Sequence, residues 1–251
     1  MRKESFLSKG FLVPIAIVFL WWYGSSHGWW NSFLLPSPGD VADAFILSFK
    51  SGELETHVWA SLSRIIRGFG LSAFLALATA LLCAWFPRLL AQIEPTLEFM
   101  RHIPPMSVIP MLILWFGIGE APKVILIILA TFFPVFMNTL QGIKECDPKL
   151  LEVAKVFDYT RWQSFKYVTL PSAVPSVLTG LRLGLGYSWR SLVAAELVAA
   201  SSGLGYMILD AEQLSRSDVV LMGILVIGAL GAFLDYGFLL VMRRYLKRGI
   251  E

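Results

Sequence analysis

Apolar residues in this chain come in long runs. Successive runs cover 11–28, 58–86, 88–118, 121–142, 172–199 and 218–242. Each is close to or above the roughly 20 residues that an α-helix needs to cross a bilayer core. The pattern predicts an all-α, polytopic membrane protein with about six transmembrane helices. The third run is the least regular. Its first half carries Glu94, Glu98, Arg101 and His102, then Pro104 and Pro105 follow, and only 106–118 is continuously apolar. A proline pair there breaks or kinks a helix, and neighbouring helices or water must cover the freed backbone. The segment 36–56 reads as an outer connector. Pro36, Pro38 and Gly39 are turn residues, and 40–49 forms a short helix capped by Asp40.

Composition narrows the class. Of 251 residues, 56% are hydrophobic and only 16% charged, against about 25% charged in soluble domains. Arg2, Lys3 and Lys9 precede the first apolar run, as in a signal peptide. No A-x-A site follows, and Trp21, Trp22, Trp29 and Trp30 crowd the far end of the run. Tryptophans there suit the aromatic belt of a retained span. The net charge of +3 is small, and its basic residues are not gathered on one polar segment with interleaved aromatics, so nucleic acid is not an expected partner.

The placement of those basic residues sets an orientation. With the N-terminus inside, the inner segments hold Arg2, Lys3, Lys9, Arg88, the loop from Lys144 to Lys166, and Arg243 to Arg248. The outer segments hold only Lys50, Lys123 and Arg216. The bias puts both termini in the cytoplasm. Arg64, Arg67, Arg101, Arg182 and Arg190 fall inside candidate spans. Cys83 and Cys146 lie far apart and read as two unpaired thiols with no metal spacing around them.

The longest polar stretch between spans is KECDPKLLEVAKVFDYTRWQSFKYVTLP, 144–171. It reads as two short helices on the inner surface. Asp147 caps the first, with Pro148 at its first position. Thr160 and Gln163 stand at capping-box spacing for the second, and Trp162, Phe165 and Val168 recur on one of its faces. Leu170 and Pro171 end the unit just before the fifth span. An apolar-faced hairpin of this kind needs a covering partner or a membrane surface.

This stretch resembles the EAA loop of ABC importer permeases, E-A-A-x-x-x-G-A, a spacer, then F-x-x-V-x-L-P. Glu152, Ala154, Phe165, Val168, Leu170 and Pro171 match in identity and spacing. Val153, Asp158 and Tyr159 depart from it. The pattern's Gly permits a turn between the helices. Asp158 tolerates left-handed conformations better than most residues, so the turn is expected to survive at some cost. Two further segments, RHIPPMSVIPMLILWFGIGEAPK (101–123) and GLRLGLGYSWRSLVAAELVAASSGLGYMI (180–208), resemble the third and fifth spans of the nitrate/sulfonate/taurine branch. Together the match covers most of 58–243. The chain then divides into an N-terminal span and outer connector (1–57), a permease core (58–243) containing the loop 144–171, and a cytoplasmic tail (244–251).

The resemblance implies a type I importer permease in a bacterial inner membrane. Its short cytoplasmic helices would seat on two copies of an ATP-binding subunit. A periplasmic or lipid-anchored binding protein would deliver the solute, and a second copy of this chain would complete the path through the lipid. Glu152, Ala154, Asp158, Tyr159, Phe165, Leu170 and Pro171 would form the coupling loop. Members of the branch carry sulfonates, taurine, nitrate and some vitamin precursors. The chain itself would be no enzyme and bind no cofactor or metal. It lacks G-x-x-x-x-G-K-[ST], so ATP would be hydrolysed on another subunit.

Four charged residues in the spans are candidates for the translocation pathway: Arg101, Arg182, Arg190 and Glu196. Ionisable groups at that depth face a cavity or a partner. Arg101 has Glu94 and Glu98 as possible partners on its own segment. Arg182 lies near the inner end of its span and could snorkel. Arg190 and Glu196 are six positions apart, a poor same-face spacing, so each needs a partner elsewhere. Related permeases usually carry a small or apolar residue where this chain has Arg190, which points to an anionic solute. Gly180, Gly184 and Gly186 have close-packing spacing. Ser201 to Gly205 reads as a turn at the outer end of the fifth span.

Two other functions compete. An ion-coupled secondary transporter predicts broken spans in matching halves, and only the third run is interrupted. An intramembrane enzyme needs a catalytic constellation. Ser188 and Ser191 have no nearby His in sequence, and neither H-E-x-x-H nor G-x-S-x-G occurs.

Overall fold

The computed structural model describes residues 12–248, and these are almost wholly helical. The basic N-terminal residues Arg2, Lys3 and Lys9 lie outside the described residues. The first apolar run forms α1 (Leu12–Ser26), and the outer connector forms α2 (Pro38–Lys50). Four helices are long and apolar enough to cross a membrane. They are α3 (Glu53–Trp85), α6 (Glu120–Lys144), the helix containing α9 (Leu170–Ala199), and α11 (Ser217–Arg248). A fifth span is made by the broken pair α4 (Pro87–Arg101) and α5 (Ile109–Phe116), the latter preceded by a 3-10 turn at Pro105–Val108. The segments on either side of the break are bent by 86°. α1, with 15 residues, is shorter than these. The expected six spans are therefore four long helices, one bent pair and one short apolar helix among the described residues.

The bend is where the proline pair predicts it. Pro104 is extended (φ −59°, ψ 126°), as a residue preceding proline must be, and Pro105 opens the 3-10 turn. Two other expectations need correction. The cap of α2 is Ser37, not Asp40. Pro38 takes the first helical position, and Asp40, third in the helix, exchanges hydrogen bonds with Ser37. The second loop helix does not stop at Leu170-Pro171. α8 (Arg161–Ser164) passes through a π-turn (Phe165–Thr169) directly into α9. The Leu170 N–H bonds to the Phe165 carbonyl five residues back. This widened turn accommodates Pro171, whose ring would otherwise meet the preceding turn. Arg161–Val198 is thus one helix of 38 residues.

α6 is the centre of the bundle, with its main seams against α9 and α3. Glycines allow the first of these. A Cβ at Gly180 would lie 2.7 Å from the Asn138 Cβ, and one at Gly184 3.0 Å from Val135 Cγ2. Gly186, by contrast, faces open space. The inner core is Ala76, Ala80, Cys83, Val135, Phe136 and Leu140. The outer core gathers Ile65, Ile127, Trp189, Leu192, Leu204 and Met222, where α10 (Leu204–Gln213) packs under α11. Cys83 and Cys146 are both free thiols.

Candidate functional site

Three places carry polar chemistry, and the long helix Arg161–Val198 joins them. The first is the inner hairpin. α7 (Pro148–Val156) begins as expected, with the Asp147 carboxylate accepting the Lys149 N–H at 2.9 Å. It ends in a Schellman turn: the Tyr159 N–H bonds to the Ala154 carbonyl and the Asp158 N–H to that of Lys155, both at 3.0 Å. Asp158 is left-handed at φ 52°, so the turn survives without glycine. The Thr160–Gln163 capping box then starts α8. Ala154 is buried, while Glu152 points to solvent. Leu150, Val153, Val156 and Phe157 leave an apolar face of α7 uncovered, with Val156 81% exposed. Tyr159 sits between the Phe157 and Tyr167 rings at 6.4 and 6.3 Å.

The aromatic face of α8 is not directed to solvent alone. Trp162 and Phe165 meet Trp85 edge-on at 5.8 and 5.5 Å, and the Arg161 guanidinium lies 4.9 Å above the Trp85 ring. The hairpin is therefore braced on the inner end of α3. Leu170 and Pro171 serve its junction with α9.

The second place is one face of α9. Thr179, Leu183, Tyr187 and Arg190 form an exposed stripe, with Arg182 and Gly186 beside it. Arg182 makes a fork to Asp235 of α11, Nε to Oδ1 at 2.8 Å and Nη2 to Oδ2 at 2.7 Å. Arg190 lies over the Tyr187 ring at 5.7 Å and has no carboxylate partner among the described residues. Arg101 pairs with Glu98 of its own helix at 3.2 Å. It also lines a cavity of about 430 Å³ with Asn138 and Tyr187. A neighbouring cavity of about 300 Å³ holds Arg182, Tyr187, Arg190 and Asp235. Tyr187 thus links the three arginines that the sequence singled out.

Glu196 stands apart from them, in the third place, a buried latch at the outer end of the bundle. Its side chain is 0% exposed, and that of Arg64 on α3 is 4% exposed. Arg64 uses all five of its N–H donors: two toward Glu120, one toward Glu196, one each to the Ser202 carbonyl and hydroxyl. Glu196 also accepts from Ser61 at 2.9 Å and from the Gly205 N–H at 3.1 Å. The Leu204 N–H donates to Ser61 and the Gly203 N–H to His57 Nδ1. Lys123, buried, donates to Glu120 at 2.9 Å. Gly203 takes φ 116°, and a Cβ there would strike the Glu196 carboxylate. The turn at Ser201–Gly205 is therefore folded onto the latch.

The sequence flagged Arg64 as a charge within a span but paired it with nothing. Glu120, Lys123, Ser61, His57 and Asp235 were not singled out as partners. Only the arginine inside an apolar run signalled them, since such a charge demands a partner. Periodicity within one segment cannot say which distant helix supplies it.

Comparison with known proteins agrees with this architecture. Residues 72–247 match the family described as binding-protein-dependent transport system inner membrane component. The Bacillus subtilis (strain 168) protein named as an aliphatic sulfonates transport permease, SsuC, is 39% identical over 98% of this chain and 89% of its own. The taurine transport system permease protein TauC of Escherichia coli (strain K12) is 34% identical over 97% of this chain and 90% of its own. A crystal structure of an amino acid ABC transporter with histidines superimposes with a TM-score of 0.65 at 14% identity, covering 81% of this chain and 96% of that one, which is a likeness of fold. The chain belongs to the binding-protein-dependent transport system inner membrane component family.

Proposed function

We propose that the chain passes a small anion of sulfonate type inward, driven by an ATP-binding subunit that seats on the α7–α8 hairpin. The observation that carries this reading is the unbroken helix from Arg161 to Val198. At about 1.5 Å per residue it is about 57 Å long. Its inner end is part of the hairpin, its middle bears Arg182 and Arg190, and its outer end bears Glu196. A displacement of the hairpin is thereby delivered to the arginine face without a flexible joint.

The uncovered apolar face of α7 supports a protein partner on the cytoplasmic side. Two copies of that partner, two copies of this chain and an outer binding protein complete the assembly, with both termini cytoplasmic. The mid-span exposure of Arg182 and Arg190 supports a water-filled path rather than lipid on that face, because a charge facing lipid is costly. The positive face favours an anion.

Reconstitution with the ATP-binding subunit and the binding protein in proteoliposomes tests this. Taurine or ethanesulfonate uptake should require ATP, and a vitamin precursor should not compete. Glu152→Arg should leave the complex assembled but separate ATP hydrolysis from uptake. Normal uptake by that variant refutes the coupling role, and full uptake by Arg190→Ala refutes the anion path.

A further inference from the structure

We infer that Asp235 is a resident counter-ion that holds the anion-binding fork of Arg182 until a solute displaces it. This rests on the proposed path along α9. The cleft between α9 and α11 contains two adjoining cavities, of about 300 and 370 Å³, that share Gly186, Arg190 and Asp235. The Arg182–Asp235 pair lies on the wall of the smaller one, with side chains 36% and 48% exposed. It is thus reachable from the cleft, unlike the Arg64–Glu196 pair, whose side chains are 4% and 0% exposed.

Geometry and charge give the cleft a direction. Arg190 is eight positions beyond Arg182 on the same helix, about 12 Å nearer the outer end. It has no carboxylate partner among the described residues, so an anion arriving from outside meets it first. The next cation inward is Arg182, whose fork matches two oxygens of a carboxylate or a sulfonate equally well. Asp235 satisfies it when no solute is present and competes with the solute when one is. The exchange replaces one bidentate oxyanion by another, so Arg182 stays paired, and the displaced Asp235 carboxylate, 48% exposed, is left to the water of the cleft. Competition also weakens solute binding, and a site in a transport path must release what it holds. With Gly186 lacking a side chain between the two arginines, the cleft keeps room for the bound group.

The test titrates the purified permease–ATP-binding subunit complex with ethanesulfonate, without the binding protein. The readout is tryptophan fluorescence, since Trp189 lines the larger cavity. Asp235→Asn removes the competitor and should tighten binding about fivefold, the most that an ion pair this exposed accounts for. Asp235→Glu should bind like the parent. The Arg182→Gln/Asp235→Asn double variant should lose the gain. A purely structural pair predicts weakened or unchanged binding in Asp235→Asn and recovery in the neutral double variant; either result overturns the inference. If Asp235→Asn does not fold, Arg182→Lys decides: loss of the fork should weaken ethanesulfonate binding about tenfold, and unchanged affinity overturns the inference. An Arg190→Ala arm separates the two readings. Full ethanesulfonate uptake by Arg190→Ala would sink the path itself. Lost uptake in that arm, with unchanged affinity in Asp235→Asn, would sink only the counter-ion.

Discussion

The outer latch makes a sharp energetic prediction. Glu196→Ala removes a wholly buried carboxylate that accepts from Arg64, Ser61 and the Gly205 N–H. Arg64 cannot turn to water, because its side chain is 4% exposed. It would keep the two bonds to Glu120, yet that carboxylate is 48% exposed and is screened accordingly. The loss should therefore be that of a broken buried pair, about 3–5 kcal/mol. Glu196→Gln keeps an acceptor and the shape, and should lose about 1–3 kcal/mol. Replacing both partners, Arg64→Met with Glu196→Leu, should cost less than Glu196→Ala alone, because no buried charge is left without its partner: Lys123 keeps Glu120. The assay is denaturant unfolding of the purified permease in lipid bicelles. Amide exchange provides a local readout, since the Gly203, Leu204 and Gly205 N–H groups all end on this network. In Glu196→Ala those three should exchange faster while the α7 amides are unchanged. A loss below about 1 kcal/mol in Glu196→Ala, or an additive double variant, would refute the account of a coupled buried pair.

Other predictions concern turns and seams. Asp158→Val places a β-branched side chain at φ 52° and should loosen the hairpin by about 1–2 kcal/mol, seen as faster proteolysis between α7 and α8; Asp158→Gly should not. Gly180→Leu should disrupt the α6–α9 seam by about 1–3 kcal/mol and lower the melting temperature, while Gly186→Ala, into open space, should leave it within a degree or two of the parent. The Asp40 carboxyl is held below its ordinary value of 3.8 by hydrogen bonds from Ser37. Its capping contribution is therefore present above that value and lost as pH falls through the lowered one. Exchange of the first-turn amides of α2 should quicken only below about pH 4, and Ser37→Ala should weaken that dependence without removing it, since the backbone N–H of residue 37 still donates to Asp40.

How much of this was legible in the sequence depends on range. The spans, the break at Pro104-Pro105, the caps at Asp147 and Thr160 and the left-handed Asp158 are local matters. Each is decided by a few neighbouring residues, and each is found where the chain reads that way, except that the first run makes only a 15-residue helix and the helix of the fifth run begins at Arg161. Asp40 misled because Asp and Ser both cap helices, and the choice depends on Pro38 taking the first helical position. Leu170-Pro171 misled because a π-turn lets a helix continue past a proline. Arg101 found its partner at Glu98, three residues away. Arg182 and Glu196 found theirs 53 and 132 positions away, a distance at which no periodicity speaks.

These long-range pairs differ in a way that bears on movement. The latch ties the outer ends of α3, α6 and α9 together through donors and acceptors that are nearly all used. The glycine-lined seam of α9 with α6 continues the contact along the bundle, and Trp85 against Trp162 and Phe165 closes it at the hairpin end. Three helices and the hairpin are thus joined at both ends. α11 is joined to α9 differently. It packs chiefly against α10 and α2, and its middle meets α9 across the cleft at Gly186, Arg190 and Asp235. Under the proposed coupling, a push on the hairpin would strain the tightly packed trio least if the trio moved together, and the cleft would be the seam to open without stranding a buried charge. Arg182 and Asp235 lie on opposite sides of that seam. A half-exposed pair worth about 1 kcal/mol or less is the kind of tie that can be exchanged for a solute oxyanion in each cycle; a sealed pair like Arg64–Glu196 is not.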